Sequence, residues 1–141
     1  MNFFKKLFGL KSPAPNDAAV FNSIIAAKVV DIQKHPNADR LRIVKVDVGD
    51  KIIEPIVCGA SNFEVGDTVV LALPGAKIAQ DIHSSGHQPF VLEKAKIRGV
   101  ESQGMICAGF ELGLSKEPEK GILLLKDSIK PGSQFLPEMV K

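Results

Sequence analysis

Between residues 23 and 126 the apolar side chains fall in short β-branched runs, each ended by a turn sequence, and a helical period is almost absent. SIIAAKVVDIQ (23–33) is dense in Ile and Val, whose branched Cβ suits a pleated strand better than a helix. HPNADR (35–40) reads as a tight loop. LRIVKVDVGD (41–50) starts with Leu41 and Ile43 in phase and then shifts to Val44, Val46 and Val48. Since side chains alternate faces along a strand, such a shift predicts a β-bulge, the device by which small barrels bend their strands. GDK (49–51) is a hairpin signal. IIEPIVCG (52–59) is a further strand, with Pro55 placing it at an edge or irregular position. EVGDTVVLALPGA (64–76) reads turn, strand, turn, and QDIHSSGHQP (80–89) a flexible loop. FVLEKAKIRG (90–99) reads as one strand, with Val91, Ala95 and Ile97 on one face and Lys94, Lys96 and Arg98 on the other. ILLLK (122–126) is a last short strand, and residues 130–139 hold a turn and a helical turn. Many short strands with turn punctuation predict an all-β chain in a small closed or nearly closed barrel.

At 141 residues the chain suits one domain with a real core. Its two cysteines, Cys58 and Cys107, lie in apolar runs and form neither a disulfide framework nor a C-x-x-C zinc motif. Buried free thiols in a reducing cytoplasm are the simplest account. No apolar run reaches the length of a membrane span, and MNFFKKLFGLK lacks the features of a signal peptide. The net charge of +2 is unevenly placed. Residues 21–141 balance acid against base, and the excess comes from Lys5, Lys6 and Lys11 against Asp17. Any polyanion bound by the body must therefore meet a local patch rather than a global field.

Catalytic signatures are missing: no phosphate-cradling glycine loop, no G-x-S-x-G, no H-E-x-x-H. His83 and His87 are four apart, but in a Gly/Ser-rich loop, which favours solvated side chains over zinc ligands. Neither cysteine has a basic neighbour in sequence to activate it. No catalytic residue, metal or cofactor is assigned. The binding signals are stronger. Arg40 and Arg42 share a parity, Lys45 follows across the bulge, and Lys94, Lys96 and Arg98 make a basic ladder. These two basic strands form either a positive track for a nucleic-acid backbone or simply the solvated faces of amphipathic strands.

Four ordered blocks then carry a resemblance: HPNADRLRIVKVDVG (35–49), IVCGASN (56–62), ALPGA (72–76) and KIRGVESQGMICAGFELGL (96–114). Together they resemble the tRNA-binding OB domain of the bacterial phenylalanyl-tRNA synthetase β subunit, which recurs in some methionyl-tRNA synthetases, free-standing tRNA-binding proteins and the EMAP II-like cytokine domain. The resemblance covers roughly residues 22–136. It implies a five-stranded OB-fold barrel with short helical insertions, without catalytic residues, cytoplasmic, with tRNA as ligand. It also implies backbone contacts from Arg40, Arg42, Lys45, Lys96 and Arg98, with Ser102, Gln103 and Met105 beside the RNA. Asn37 and Asp39 would shape the first loop through Asx-type bonds, with Asn37 also a candidate RNA contact, and Pro36 would fix the turn. Gly99 and Gly104 would supply positive φ or close approach. Ala108 stands where the family often has Ser. A homodimer and an aminoacyl-tRNA synthetase partner both remain open, as do a mainly structural, detached synthetase domain and a protein-binding, chaperone-like OB module.

The tail differs from the body. Phe3, Phe4, Leu7 and Phe8 fall on one face at helical spacing, with Lys5, Lys6 and Gly9 away from it. KSPAPNDA (11–18) is a Pro-containing linker, so residues 1–19 form an amphipathic tail and residues 20–141 the domain. Such a tail suits self-association or packing better than a membrane surface, where one short helix binds only marginally.

Overall fold

A computed structural model describes residues 20–141; the expected amphipathic tail lies outside the described residues. The body is all-β. Its strands are β1 (Ile24–Lys34), β2 (Arg42–Asp47), β3 (Ile52–Cys58), β4 (Thr68–Ala72), β5 (Lys77–Ile78), β6 (Phe90–Val91), β7 (Ala95–Ile97), β8 (Val100–Ser102), β9 (Met105–Ile106) and β10 (Leu124–Leu125). The main sheet runs β10-β4-β1-β2-β3, antiparallel throughout, and β9 also pairs with β4. Two short hairpins, β5–β6 and β7–β8, stand apart from it.

Residues 69–72 alternate between two clusters. Val70 and Ala72 pack with Phe21, Ile24, Leu112 and Phe135. Val69 and Leu71 pack with Val44, Val46, Ile56 and Phe63. Because neighbouring side chains leave a strand on opposite faces, β4 is covered on both sides. That explains why TVVLA is continuously apolar and wholly buried rather than alternating. β1 behaves alike from Ile24 to Val29, with Lys28 the exposed exception.

The bulge predicted from the phase shift is present, with its geometry divided between neighbours. Register slips between Val29 and Asp31 where β1 meets β2, and between Val44 and Val46 where β2 meets β3. The extra residues lie on the partner strands: Val30 on β1, and the Glu54–Pro55 pair on β3. Pro55 has no N–H to offer a ladder, so a bulge accommodates it.

Two expectations need correction. The sheet is open: its path ends at β10 and β3, β9 branches off β4, and neither β9 nor β10 shares a ladder with β3. Single bonds instead tie β3 to the end of β8 and the turn that leads into β9. The Gln103 N–H donates to the Pro55 carbonyl at 2.9 Å, and the Val57 N–H donates to Ser102 Oγ at 3.0 Å. Helical insertions are also absent between Ile24 and Lys141, apart from one 3-10 turn at Pro137–Met139. Residues 80–89 form a pinned turn: the Asp81 N–H donates to the Gln88 carbonyl at 3.0 Å, and the His87 ring meets Phe110 edge-on at 4.8 Å.

Candidate nucleic-acid interface

The stretch 90–99 is not one strand. It breaks after Val91, resumes at Ala95 and turns at Arg98–Gly99, so Lys94, Lys96 and Arg98 make no continuous ladder. The reason is the turn. Ile97 pairs with Val100, leaving two residues to reverse the chain. Both have positive φ, 52° at Arg98 and 92° at Gly99, as a two-residue hairpin of matching twist requires. Lys96 faces Glu101 across this hairpin, which offsets its charge.

What holds Arg98 in that backbone conformation is the loop 35–40. The Asn37 side chain donates from Nδ2 to the Arg98 carbonyl, and Arg98 Nη2 donates to the Asn37 carbonyl, each at 3.2 Å. Asn37 therefore ties two distant loops together instead of closing an Asx turn in its own. Beneath them lies His35, 2% exposed. Its Nδ1 accepts the Asn37 N–H at 2.9 Å, so Nε2 carries the proton and donates to the Ile97 carbonyl at 3.0 Å. The result is a recess of about 420 Å³ lined by Asn37, Ala38, Asp39, Arg40, Leu41 and Arg98. Two guanidinium groups and one carboxylate share it, leaving a local positive excess in a body of balanced charge.

The other predicted residues scatter. Arg42 turns inward: Nη2 donates to the Ala60 and Phe63 carbonyls at 3.0 and 3.2 Å, and the guanidinium lies 4.4 Å from the Phe63 ring centroid. Its alternation with Arg40 suggested a shared face, but Arg40 precedes β2 in the loop, so no common strand relates them. Lys45 pairs with Glu54 at 3.5 Å on the surface. Ser102 is buried, accepting the Val57 N–H and donating to the Gly104 carbonyl at 2.8 Å. Gln103 bonds the Glu101 carbonyl through Nε2 at 3.3 Å, and Met105 packs against the first core cluster. At Gly104 a Cβ would lie 2.7 Å from the Ala72 carbonyl oxygen, so close approach explains that glycine. Sequence reading missed His35, whose role depends on a contact 62 residues away.

Ser102 yields a direct prediction. Ser102→Ala leaves the buried Val57 N–H without its acceptor, which costs about 1–3 kcal/mol. Urea denaturation should show the loss, and an unchanged midpoint would mean this bond contributes nothing to holding β3 against the β8–β9 hairpin.

The thiols have no reactive setting. Burial pushes Cys58 above the ordinary thiol value and Cys107 well above it. Burial likewise raises the Glu111 carboxyl, opposed by the Ala108 N–H that donates to its Oε1 at 2.9 Å. Among the described residues no group of three metal-ligating side chains is gathered, and no helix is long and apolar enough to cross a membrane.

The family described as "Putative tRNA binding domain" matches residues 24–134. The chain belongs to this family. Similar curated proteins include the phenylalanine–tRNA ligase β subunit of Dechloromonas aromatica, 43% identical over 115 residues, and that of Wolinella succinogenes, 44% identical over 106 residues. These matches cover 82% and 75% of this chain but only 13% and 12% of the relatives. Among solved structures, a methionyl-tRNA synthetase related protein from Pyrococcus horikoshii aligns with a TM-score of 0.58 at 16% identity, covering 90% of this chain and 100% of its own. The C-terminal domain of Plasmodium vivax p43 aligns at 0.54 and 24%, covering 85% and 62%. At such identities the likeness is one of fold.

Proposed function

We propose that this tRNA binding domain engages tRNA without catalysing a reaction, through the recess that Arg40 and Arg98 line and that the Asn37–Arg98 bonds hold together. The observation that carries this reading is the reciprocal bonding of the two loops. It fixes the Arg98 guanidinium in a recess that Arg40 also lines, where a phosphate would meet two always-charged, fork-shaped donors. Lys94 extends the positive surface at longer range, Lys96 and Lys45 add to it only in so far as a phosphate displaces Glu101 and Glu54 from them, and Gln103 and Met105 lie farther along the β8–β9 hairpin. Arg42 and Ser102 support this surface from within. The curled sheet, drawn together by Ser102 and Gln103, serves as an OB-type five-stranded barrel without a closed ladder. The domain comprises residues 20–141 with residues 1–19 as an appended tail, and it works in the cytoplasm.

The test is filter binding of tRNA across a salt series. Arg40→Ala combined with Arg98→Ala should weaken binding tenfold or more at low salt, since each charge-assisted bond contributes about 1.5–3 kcal/mol. It should also flatten the log–log salt slope by about 1 for each phosphate that is no longer neutralised. Unchanged affinity and slope would move the interface elsewhere.

A second reading has its own support. The chain spans about 13% of a phenylalanine–tRNA ligase β subunit, and its body has no net charge. A mainly structural domain docked on a synthetase partner fits both facts. Co-purification with a synthetase subunit, with no affinity for free tRNA at low salt, would favour it. A homodimer and a protein-binding role are further outcomes that light scattering with and without tRNA would separate.

A further inference from the structure

A larger cavity, about 580 Å³, adjoins the basic recess, and Leu41 lines both. Four stretches wall it: residues 57–60, 90–97, 102–111 and 119–122. Leu92, Ile97, Met105 and Ile122, each only partly covered, give it an apolar surface. Leu92 and Met105 pack on the first core cluster and Ile122 on the second, so the walls rest on the packed interior. Cavities of roughly 300–1,000 Å³ with apolar walls and a few convergent polar groups are the kind that small molecules occupy.

The charged groups in this cavity are nearly all of one sign. Glu93, Glu111 and Glu119 line it together with His83, and no Lys or Arg side chain does. Glu111 is the informative one. Its Oε1 accepts the Ala108 N–H at 2.9 Å, and among the described residues it makes no ion pair. Burial holds its carboxyl above the usual range, with His83 opposing that shift and Asp81 adding to it. Glu119 lies over the same turn: a Cβ on Gly109 would meet Glu119 Oε1 at 3.1 Å. A half-buried carboxylate is costly without a cation against it. The balanced charge of the body supplies none here. A charge-assisted hydrogen bond is made at contact, and the sequence neighbours Lys94 and Lys120 do not line the cavity.

We propose that this cavity binds a small apolar amine, with a ring or branched aliphatic body against Leu92, Ile97, Met105 and Ile122 and one ammonium group donating to Glu111 and Glu119. The walls select against the alternatives. An anion of the same shape meets three carboxylates and no cation but His83. A polyamine or a bare metal ion leaves the apolar surface unused. A phosphate is refused like any other anion, so the cavity does not continue the basic recess, and the inference stands whether or not tRNA is the ligand of that recess.

Methyl-resolved NMR of the full chain tests it, with phenethylammonium as the probe. The probe should shift the methyl resonances of Leu92, Ile97, Met105 and Ile122 saturably, with a dissociation constant of about 1 mM or tighter, and leave Val46 and Val48 unmoved. 3-Phenylpropionate, a similar body with the opposite charge, should bind roughly tenfold or more weakly, as should methylammonium, the head without the body. Glu111→Gln keeps an oxygen for the Ala108 N–H and removes the charge, so it should weaken phenethylammonium roughly tenfold while the urea midpoint holds or rises. Should that variant fail to fold, Glu119→Gln at its exposed position carries the test, with a loss of about threefold. Cavity methyls that ignore the cation would overturn the proposal. So would an anion that binds as tightly as the cation, or wild-type affinity in a folded Glu111→Gln chain.

Discussion

His35→Ala should destabilise the domain by about 2–5 kcal/mol and abolish ordered pairing of the two recess loops. The imidazole is the buried link between Asn37 in the first loop and Ile97 in the β7–β8 hairpin. Its removal leaves a partly buried amide N–H and carbonyl without their partner, and each such group costs up to about 1–3 kcal/mol. A cavity adds to the loss. Urea denaturation measures the stability, and amide exchange at Asn37 and Arg98 measures the pairing. Under the proposed function, tRNA affinity should fall in parallel even where the variant stays folded, because Arg40 and Arg98 lose their common frame. A folded His35→Ala chain with wild-type exchange and affinity would show that His35 merely fills space.

The second large effect separates two arginines that look alike in sequence. Arg42→Ala should cost about 2–4 kcal/mol, while Arg40→Ala should leave stability within about 0.5 kcal/mol. The Arg42 guanidinium satisfies two backbone carbonyls and lies over Phe63, a ring 1% exposed. Each hydrogen bond to a charged donor contributes about 1.5–3 kcal/mol and the ring interaction about 0.5–2 kcal/mol, and they share one side chain, so they do not simply add. Arg42→Lys should recover only part of the loss: a single nitrogen, Nη2, makes both bonds, which an ammonium can imitate, but the flat guanidinium contact with the Phe63 ring is lost. Arg40, exposed in its loop, should show its effect in tRNA binding alone. Equal stability of the Arg40 and Arg42 alanine variants would contradict the geometry.

These predictions mark where local pattern stops being informative. Strand positions in the first half of the body were legible because the signals are local. β-Branched runs, turn glycines and the face alternation of 41–48 depend on neighbours one to four residues away. The buried thiols followed from their apolar runs in the same way. The basic ladder at 94–98 failed for a reason alternation cannot encode: Arg98 and Gly99 form a two-residue turn with positive φ, stabilised by Asn37 from the other side of the molecule. In place of a closed strand ladder and the helical insertions implied by the family resemblance, the described residues have an open strand order bridged by a serine hydroxyl and one backbone bond.

By itself, the sequence determined the all-β class, the main strands of the sheet, the irregularity around β2 and, through four ordered blocks, the family. Those properties arise from short-range sterics and the period of two. Only the tertiary structure decided which cations face water. Arg42 is withdrawn by carbonyls 18 and 21 residues away, Ser102 by an amide 45 away, and Arg98 is brought beside Arg40 by hydrogen bonds across 61 and 62 residues. Burial of a polar side chain depends on partners that the folded chain brings near, and no window along the sequence contains them.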